Sequence, residues 1–218
     1  MLLSRLNANK LLRYFYGIAG MGICTAVVHA SPAPAGYVME IQLVPAACSL
    51  DPQRNKKRKC LEGYSLNVLG LYPEVAAQRN CTSHTVLNLP PIQAKVVARV
   101  MPDENARKQL WQGVGGCVPM PANQYFRMMI NYAEKLKIPD ELTSQETRVM
   151  QAAVLRSRML RLNPGLPPQG FEFSCQQNKT NSILTEIKIC YQNNGHYKAC
   201  PKNVQNNCPA TFTIKGSF

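Results

Sequence analysis

Ser65-Leu66-Asn67-Val68-Leu69-Gly70-Leu71-Tyr72-Pro73 begins polar, runs apolar and ends on proline. Ser65 to Gly70 reads as a strand, and Tyr72-Pro73 closes it, because proline has no N–H to give to a ladder. Upstream, Tyr37 to Val44 alternates apolar and polar residues and reads as another strand. Between the two, Cys48 to Cys60 encloses the basic run Arg54-Asn55-Lys56-Lys57-Arg58-Lys59, the densest positive patch in the chain. Downstream, Ile92 to Met101 has a helical period, with Val96, Val97, Val100 and Met101 on one face and Pro102 after it. Pro121 opens a helix to about Lys137 that buries Tyr125, Met128, Met129, Tyr132 and Leu136. Thr143-Ser144-Gln145-Glu146 has the form of a capping box for a third helix, stopped by Pro164 and carrying Arg148, Arg156, Arg158 and Arg161. The period then changes: Phe171 to Cys175, Ile183 to Cys190 and Thr211 to Lys215 read as strands joined by Asn/Gly-rich loops. No internal repeat or inter-domain linker interrupts this order, and the fold class is α+β.

The first thirty residues have the three parts of a secretory signal. Arg5, Lys10 and Arg13 form a positive segment with no acidic residue, Tyr14 to Val28 is apolar, and Val28-His29-Ala30 places small residues at a cleavage site. Cleavage near Ala30 leaves one domain, residues 31–218, in the periplasm or secreted; an uncleaved N-terminal anchor is the alternative reading. Ile23 stands before Cys24 where a lipoprotein signal wants Gly or Ala, and no second apolar run is long enough to span a membrane. Arg5, Lys10 and Arg13 account for three charges of the net +13, so the remaining chain carries +10. A basic exported protein suits RNA or another polyanion, although charge alone also serves solubility.

Eight cysteines remain after Ala30, and an even number in an exported chain reads as disulfides. Metal binding is the competing reading, but no CxxC pair occurs and only His84 and His196 remain as imidazole donors. The expectation is therefore no metal and no cofactor. Asn80-Cys81-Thr82 and Asn178-Lys179-Thr180 would be glycosylation sites only in a eukaryotic host.

Two segments carry a family resemblance. Leu69-Gly70-Leu71-Tyr72-Pro73, at the end of the run quoted above, resembles the first active-site motif of the T2-type ribonucleases, approximately F-T-I-H-G-L-W-P. Gln109-Leu110-Trp111-Gln112-Gly113-Val114-Gly115-Gly116-Cys117 resembles the second, approximately H-E-W-x-K-H-G-x-C. Asn88-Leu89-Pro90 stands between them, and Tyr125-Phe126 and Leu184-Thr185-Glu186-Ile187 follow. This order is similar to the bacterial periplasmic, ribonuclease I-like branch and covers about residues 37 to 218, with Gly70, Leu71, Pro73, Gly115 and Cys117 as its firmest anchors. The resemblance implies a central antiparallel sheet with packed helices, a monomer, and four disulfides: Cys48–Cys60, Cys81–Cys117, and Cys175–Cys208 enclosing Cys190–Cys200.

The departures fall on the chemistry. The family cleaves RNA by attack of the 2′-hydroxyl on phosphorus, with histidines as base and acid and with a lysine and a carboxylic acid stabilising the transition state. The two catalytic histidine positions are Leu69 and Val114 here; the acid is Leu110, the lysine Gly113, and the histidine opening the second motif Gln109. Leu, Val and Gly neither transfer protons nor carry charge. The resemblance thus implies a pseudoenzyme that keeps the cleft and binds RNA or another polyanion. Tyr72 stands at the family's tryptophan and offers a flat face to a base; Trp111 offers the same unless it is core; Lys56, Lys57, Arg58 and Lys59 offer charge. Two alternatives stand beside this: a ribonuclease with displaced groups, drawing on His84 or His196, and an envelope-interaction or inhibitor protein that uses its outer surface.

Overall fold

The structure is a computed structural model and describes residues 33–217 except 57, 179 and 180. The export signal at residues 1–30 and Lys57 therefore lie outside the described residues. In chain order come β1 (Tyr37–Leu43), α1 (Val44–Leu50), α2 (Arg58–Leu61), β2 (Leu66–Pro73), α3 (Pro91–Val100), α4 (Glu104–Val114), α5 (Ala122–Lys135), β3 (Arg148–Gln151), α6 (Ala152–Leu162), β4 (Phe171–Asn178), β5 (Asn181–Tyr191) and β6 (Thr211–Ile214). No helix among the described residues is long and apolar enough to cross a membrane.

The strands form one sheet in the order β2-β1-β5-β6-β3, with β4 also paired to β5. All pairings are antiparallel except β5 with β6, which meet in parallel at Ile183 and Thr213. Period-two alternation in β1 turns Tyr37, Met39, Ile41 and Leu43 into the core and leaves Glu40 and Gln42 half-buried on the other face. Helix α5 covers the apolar side with Tyr125, Phe126, Met129 and Tyr132, all buried. Pro121 precedes this helix, and its fixed φ suits an entry residue.

Strand β2 is an edge, so one side of its backbone lacks a strand partner. The Tyr125 phenol supplies one: it donates to the Leu71 carbonyl at 2.7 Å and accepts from the Leu71 N–H at 3.3 Å. One side chain thereby does for Leu71 what a neighbouring strand would do. Tyr125 is fully buried, and its hydroxyl titrates far above the ordinary phenol range, first through desolvation.

All four disulfides implied by the resemblance are present: Cys48–Cys60, Cys81–Cys117, Cys175–Cys208 and Cys190–Cys200. Two further expectations need correction. The third helix does not start at Thr143–Glu146. Ser144 Oγ accepts from the Glu146 N–H two residues on, which makes a turn and not a helix cap, and Arg148–Gln151 pairs with β6 as a strand before the helix begins at Ala152. Of the four arginines placed on that helix, Arg148 lies instead on β3, and three of the four are held by carboxylates. Arg148 pairs with Glu146, Arg156 with Glu172 at 2.8 Å, and Arg158 with Glu141.

Replacing Tyr125 by Phe removes both hydrogen bonds to Leu71 while keeping the ring. The expected loss is about 1–3 kcal/mol, the cost of stranding buried backbone groups. Urea unfolding should show a lower midpoint at unchanged slope.

Candidate functional site

Helix α4 builds the site. Asp103 caps it by accepting from the Ala106 N–H at 3.1 Å, and Glu104 pairs with Lys108 one turn on. Buried residues at Arg107, Leu110, Trp111 and Val114 mark the inner face at helical spacing. Arg107 donates to the carbonyls of Met101 at 2.6 Å and Pro102 at 3.0 Å, which folds the preceding turn back against the helix.

The inner face meets β2 at Gly70. A Cβ at that position would lie 2.7 Å from Leu110 Cδ1 and 2.9 Å from the Tyr72 ring, so a larger residue would have to push both side chains back. The far end of α4 is tied to the segment after β2 by Cys81–Cys117, by the Gly116 N–H donating to the Cys81 carbonyl at 2.9 Å, and by the Ser83 N–H donating to the Gln112 carbonyl at 2.7 Å.

On β2, Gly70 faces Glu40 and Val68 faces Ile41, so Leu69 is an extra residue in a β-bulge. A bulge re-aims its side chain out of the pleat. Leu69 thereby joins Gln109, Leu110, Gly113 and Val114 in one cleft of about 410 Å³, with Tyr72, Asn67, Lys59 and Asp103 also lining it. The five positions assigned from two distant motifs converge on one place. Leu110 and Val114 are buried there, while Gln109 and Gly113 are exposed.

The aromatic and basic residues separate. Tyr72 is 36% exposed and lines the cleft. Its hydroxyl is pushed up to about 12, first by desolvation and then by the carboxylates of Glu40 and Glu186. Trp111 is 3% exposed, and its indole N–H donates to the Thr85 carbonyl and hydroxyl at 3.1 and 3.0 Å. It is core, tilted against Tyr125 at 5.8 Å, and is not an open stacking platform. Lys59 turns inward from α2, and its Nζ donates to Gln42 Oε1 at 2.7 Å. Lys56 is exposed on a short 3-10 turn, Arg54–Lys56, and lines a neighbouring hollow. The Arg58 side chain, like Lys57, lies outside the described residues.

His84 and His196 are both exposed, and neither lines the cleft. His84 borders a different hollow beside Gly115 and Met120. Among the described residues, no three His, Cys, Asp or Glu side chains come together as a metal site. Sequence reasoning missed Asn67, which is 8% exposed at the cleft wall. Its signal was a polar residue inside an otherwise apolar strand.

No protein-family model and no curated sequence matches the chain. Solved structures do. RNase MC1, an enzyme from bitter gourd seeds, as a mutant in complex with 5′-UMP, superposes with TM-score 0.65 at 15% identity over 83% of this chain and 98% of its own. A self-incompatibility S-RNase of Nicotiana alata gives 0.61 at 15% over 83% and 98%. Trichomaglin, an S-like ribonuclease, gives 0.61 at 12% over 83% and 97%. The fold is T2-ribonuclease-like.

Desolvation and the nearby Glu40 carboxylate raise the Glu186 carboxyl above its ordinary value, and Lys188 offsets part of this. The folded state therefore favours protonated Glu186, and charging it opposes folding at pH values above the raised pKa. Glu186→Gln should stabilise the protein at neutral pH. The gain should vanish as the pH falls below about 4, where the unfolded carboxyl is protonated too. Thermal melts of both proteins at pH 7 and pH 3.5 check this.

Proposed function

We propose that the chain is an exported, non-catalytic relative of the bacterial ribonuclease I-like branch, a single domain over residues 31–218 that follows an export signal, and that it holds RNA. The observation that carries this reading is the make-up of the cleft. Leu69, Gln109, Leu110, Gly113 and Val114 line it together, where the resemblance assigns the groups that transfer protons and stabilise charge. Its titratable lining residues are Lys59, Tyr72 and Asp103. Lys59 is held by Gln42, Asp103 caps α4, and Tyr72 keeps its proton to about pH 12. General acid–base help is worth roughly 10²–10⁴-fold and needs a group that can exchange a proton near the working pH. The exposed positions of His84 and His196, away from the cleft, weigh against displaced catalysis.

RNA as the ligand draws on the fold, on the net charge of +10 after Ala30, and on Lys56 and Lys59 beside the cleft. The 5′-UMP bound by RNase MC1 is a nucleotide on a similar scaffold.

Protein from a host lacking its own periplasmic ribonuclease should show no turnover of a fluorogenic RNA substrate above background. Activity that co-purifies with the protein and disappears on changing His84 or His196 would overturn the reading.

RNA affinity should fall steeply with salt, because neutralised phosphates release counterions. Replacing Lys56, Lys57, Arg58 and Lys59 by Ser should reduce the slope of log affinity against log salt by up to about 3. An unchanged slope would exclude this loop as the contact.

A further inference from the structure

Asn67 lies on β2 two residues before Leu69, 8% exposed, and its side chain lines the cleft. Its Oδ1 is buried and has no hydrogen-bond partner. A buried amide oxygen without a donor is costly and uncommon. The cross-strand neighbour does not serve it: Gln42 faces Asn67 in the β1–β2 register, but no donor of Gln42 bonds Oδ1, and its Oε1 accepts from the Lys59 ammonium. Asn67 borders the cleft, so a rotation of its amide about χ2 would present this unpaired acceptor to a donor there.

The rest of the lining selects the kind of donor. Leu69, Leu110, Val114 and Met101 give apolar walls, and the Tyr72 ring stands exposed at the edge. A phosphate entering this space would lose its hydration against aliphatic carbon; Lys59 also lines it, but its Nζ already donates to Gln42, and Glu40 and Glu186 lie close enough to Tyr72 to act on its hydroxyl. A neutral, flat molecule meets no such cost. It can lie against aliphatic and aromatic faces and still present an N–H along its edge. A volume of about 410 Å³ is within the ordinary range for a small-molecule site. The adjoining hollow of about 610 Å³ shares Lys59, Pro102 and Asp103 with the cleft and adds Lys56, Arg107 and Glu104. Charged groups attached to such a molecule have a polar exit on that side.

We infer that the cleft takes one neutral nucleobase, with an edge N–H donating to Asn67 Oδ1, a face against Tyr72, and the phosphates left outside toward Lys56. This rests on the reading that the chain holds RNA, and it places a base where a ribonuclease would place a reacting phosphate. The requirement is for a planar heteroaromatic ring with a donor on its edge. Adenine offers its exocyclic amine, and uracil offers N3–H.

The test titrates the purified full chain with adenosine, uridine, N6,N6-dimethyladenosine, N3-methyluridine and inorganic phosphate, by calorimetry. At least one parent nucleoside should bind. Its methylated form, which lacks the edge donor, should bind about tenfold more weakly or worse. Inorganic phosphate should not compete. Asn67→Leu should erase the difference between the parent and methylated nucleosides, which separates a lost hydrogen bond from added bulk. Gly113→Leu is the second variant. A Cβ at Gly113 meets nothing within 4 Å, so a leucine there fills the cleft without disturbing packing and should abolish nucleoside binding. Failure of both parent nucleosides to bind, equal binding of a methylated form, or displacement by phosphate would each overturn the inference. RNA binding that is steep in salt but unaccompanied by nucleoside binding would sink this inference alone. Nucleoside binding without RNA binding would sink the RNA reading and leave the cleft assignment standing.

Discussion

Leu110 of helix α4 can pack directly against the β2 backbone because residue 70 has no side chain. Leu110 Cδ1 occupies space that any Cβ at that position would need. That single approach brings together two segments some forty residues apart. Cys81–Cys117 and the backbone bonds of Gly116 and Ser83 then hold the far end of the same helix. With α4 fixed at Leu110 and at its C-terminal end, its inner face forms one wall of the cleft, and the Leu69 bulge on β2 forms another. The cleft is thus a consequence of packing and needs none of the groups that would do chemistry in it.

This separation explains why so much of the fold was legible. Gly70, Gly115 and Cys117 serve close approaches and a crosslink, requirements that do not depend on the chemistry of the neighbouring residues. The alternation in β1 and the helical period of α5 follow equally from local geometry, whereas the cysteine pairing came from the family resemblance and not from spacing. Other features depended on tertiary partners. Arg148–Gln151 is a strand because β6 offers it an edge, and nothing within Thr143–Glu146 announces that. Helix α4 was hidden for a different reason. Asp103 as a cap and Leu110, Trp111 and Val114 at helical spacing are all in the sequence, but glycines at 113, 115 and 116 interrupt the pattern and obscure the helix.

The site was legible by position and not by chemistry. The five positions taken from two motifs do meet, yet the roles of the polar residues around them were not visible in one dimension. Lys59 reads as one charge in a solvated run, while the fold turns it onto Gln42. Trp111 reads as a stacking face, while its indole is spent on Thr85 in the core. Asn67 reads as an irregularity in a strand, and only burial reveals that its oxygen is unpaired. Hydrogen-bond satisfaction is a three-dimensional accounting, and periodicity does not contain it.

The apolar lining of the cleft also has a consistent energetic direction. Leu110 and Val114 are 6% and 4% exposed, and an ionisable group at either place would have to be desolvated and then held by partners. Aliphatic residues remove that requirement and add apolar burial against β2. Active sites commonly carry strained or poorly solvated groups at a cost in stability, and relaxing them raises stability at the expense of turnover. Gly113 is the exception: it is exposed, and a side chain there would meet open space, so its character is not dictated by packing. A lysine could be accommodated at 113 with the present fold unchanged, whereas a working histidine at 114 would also need a hydrogen-bonding neighbour to orient it. A proton-transferring group placed in this cleft would therefore need partners in the layer behind it as well as room in its lining, because that layer presents carbon to it.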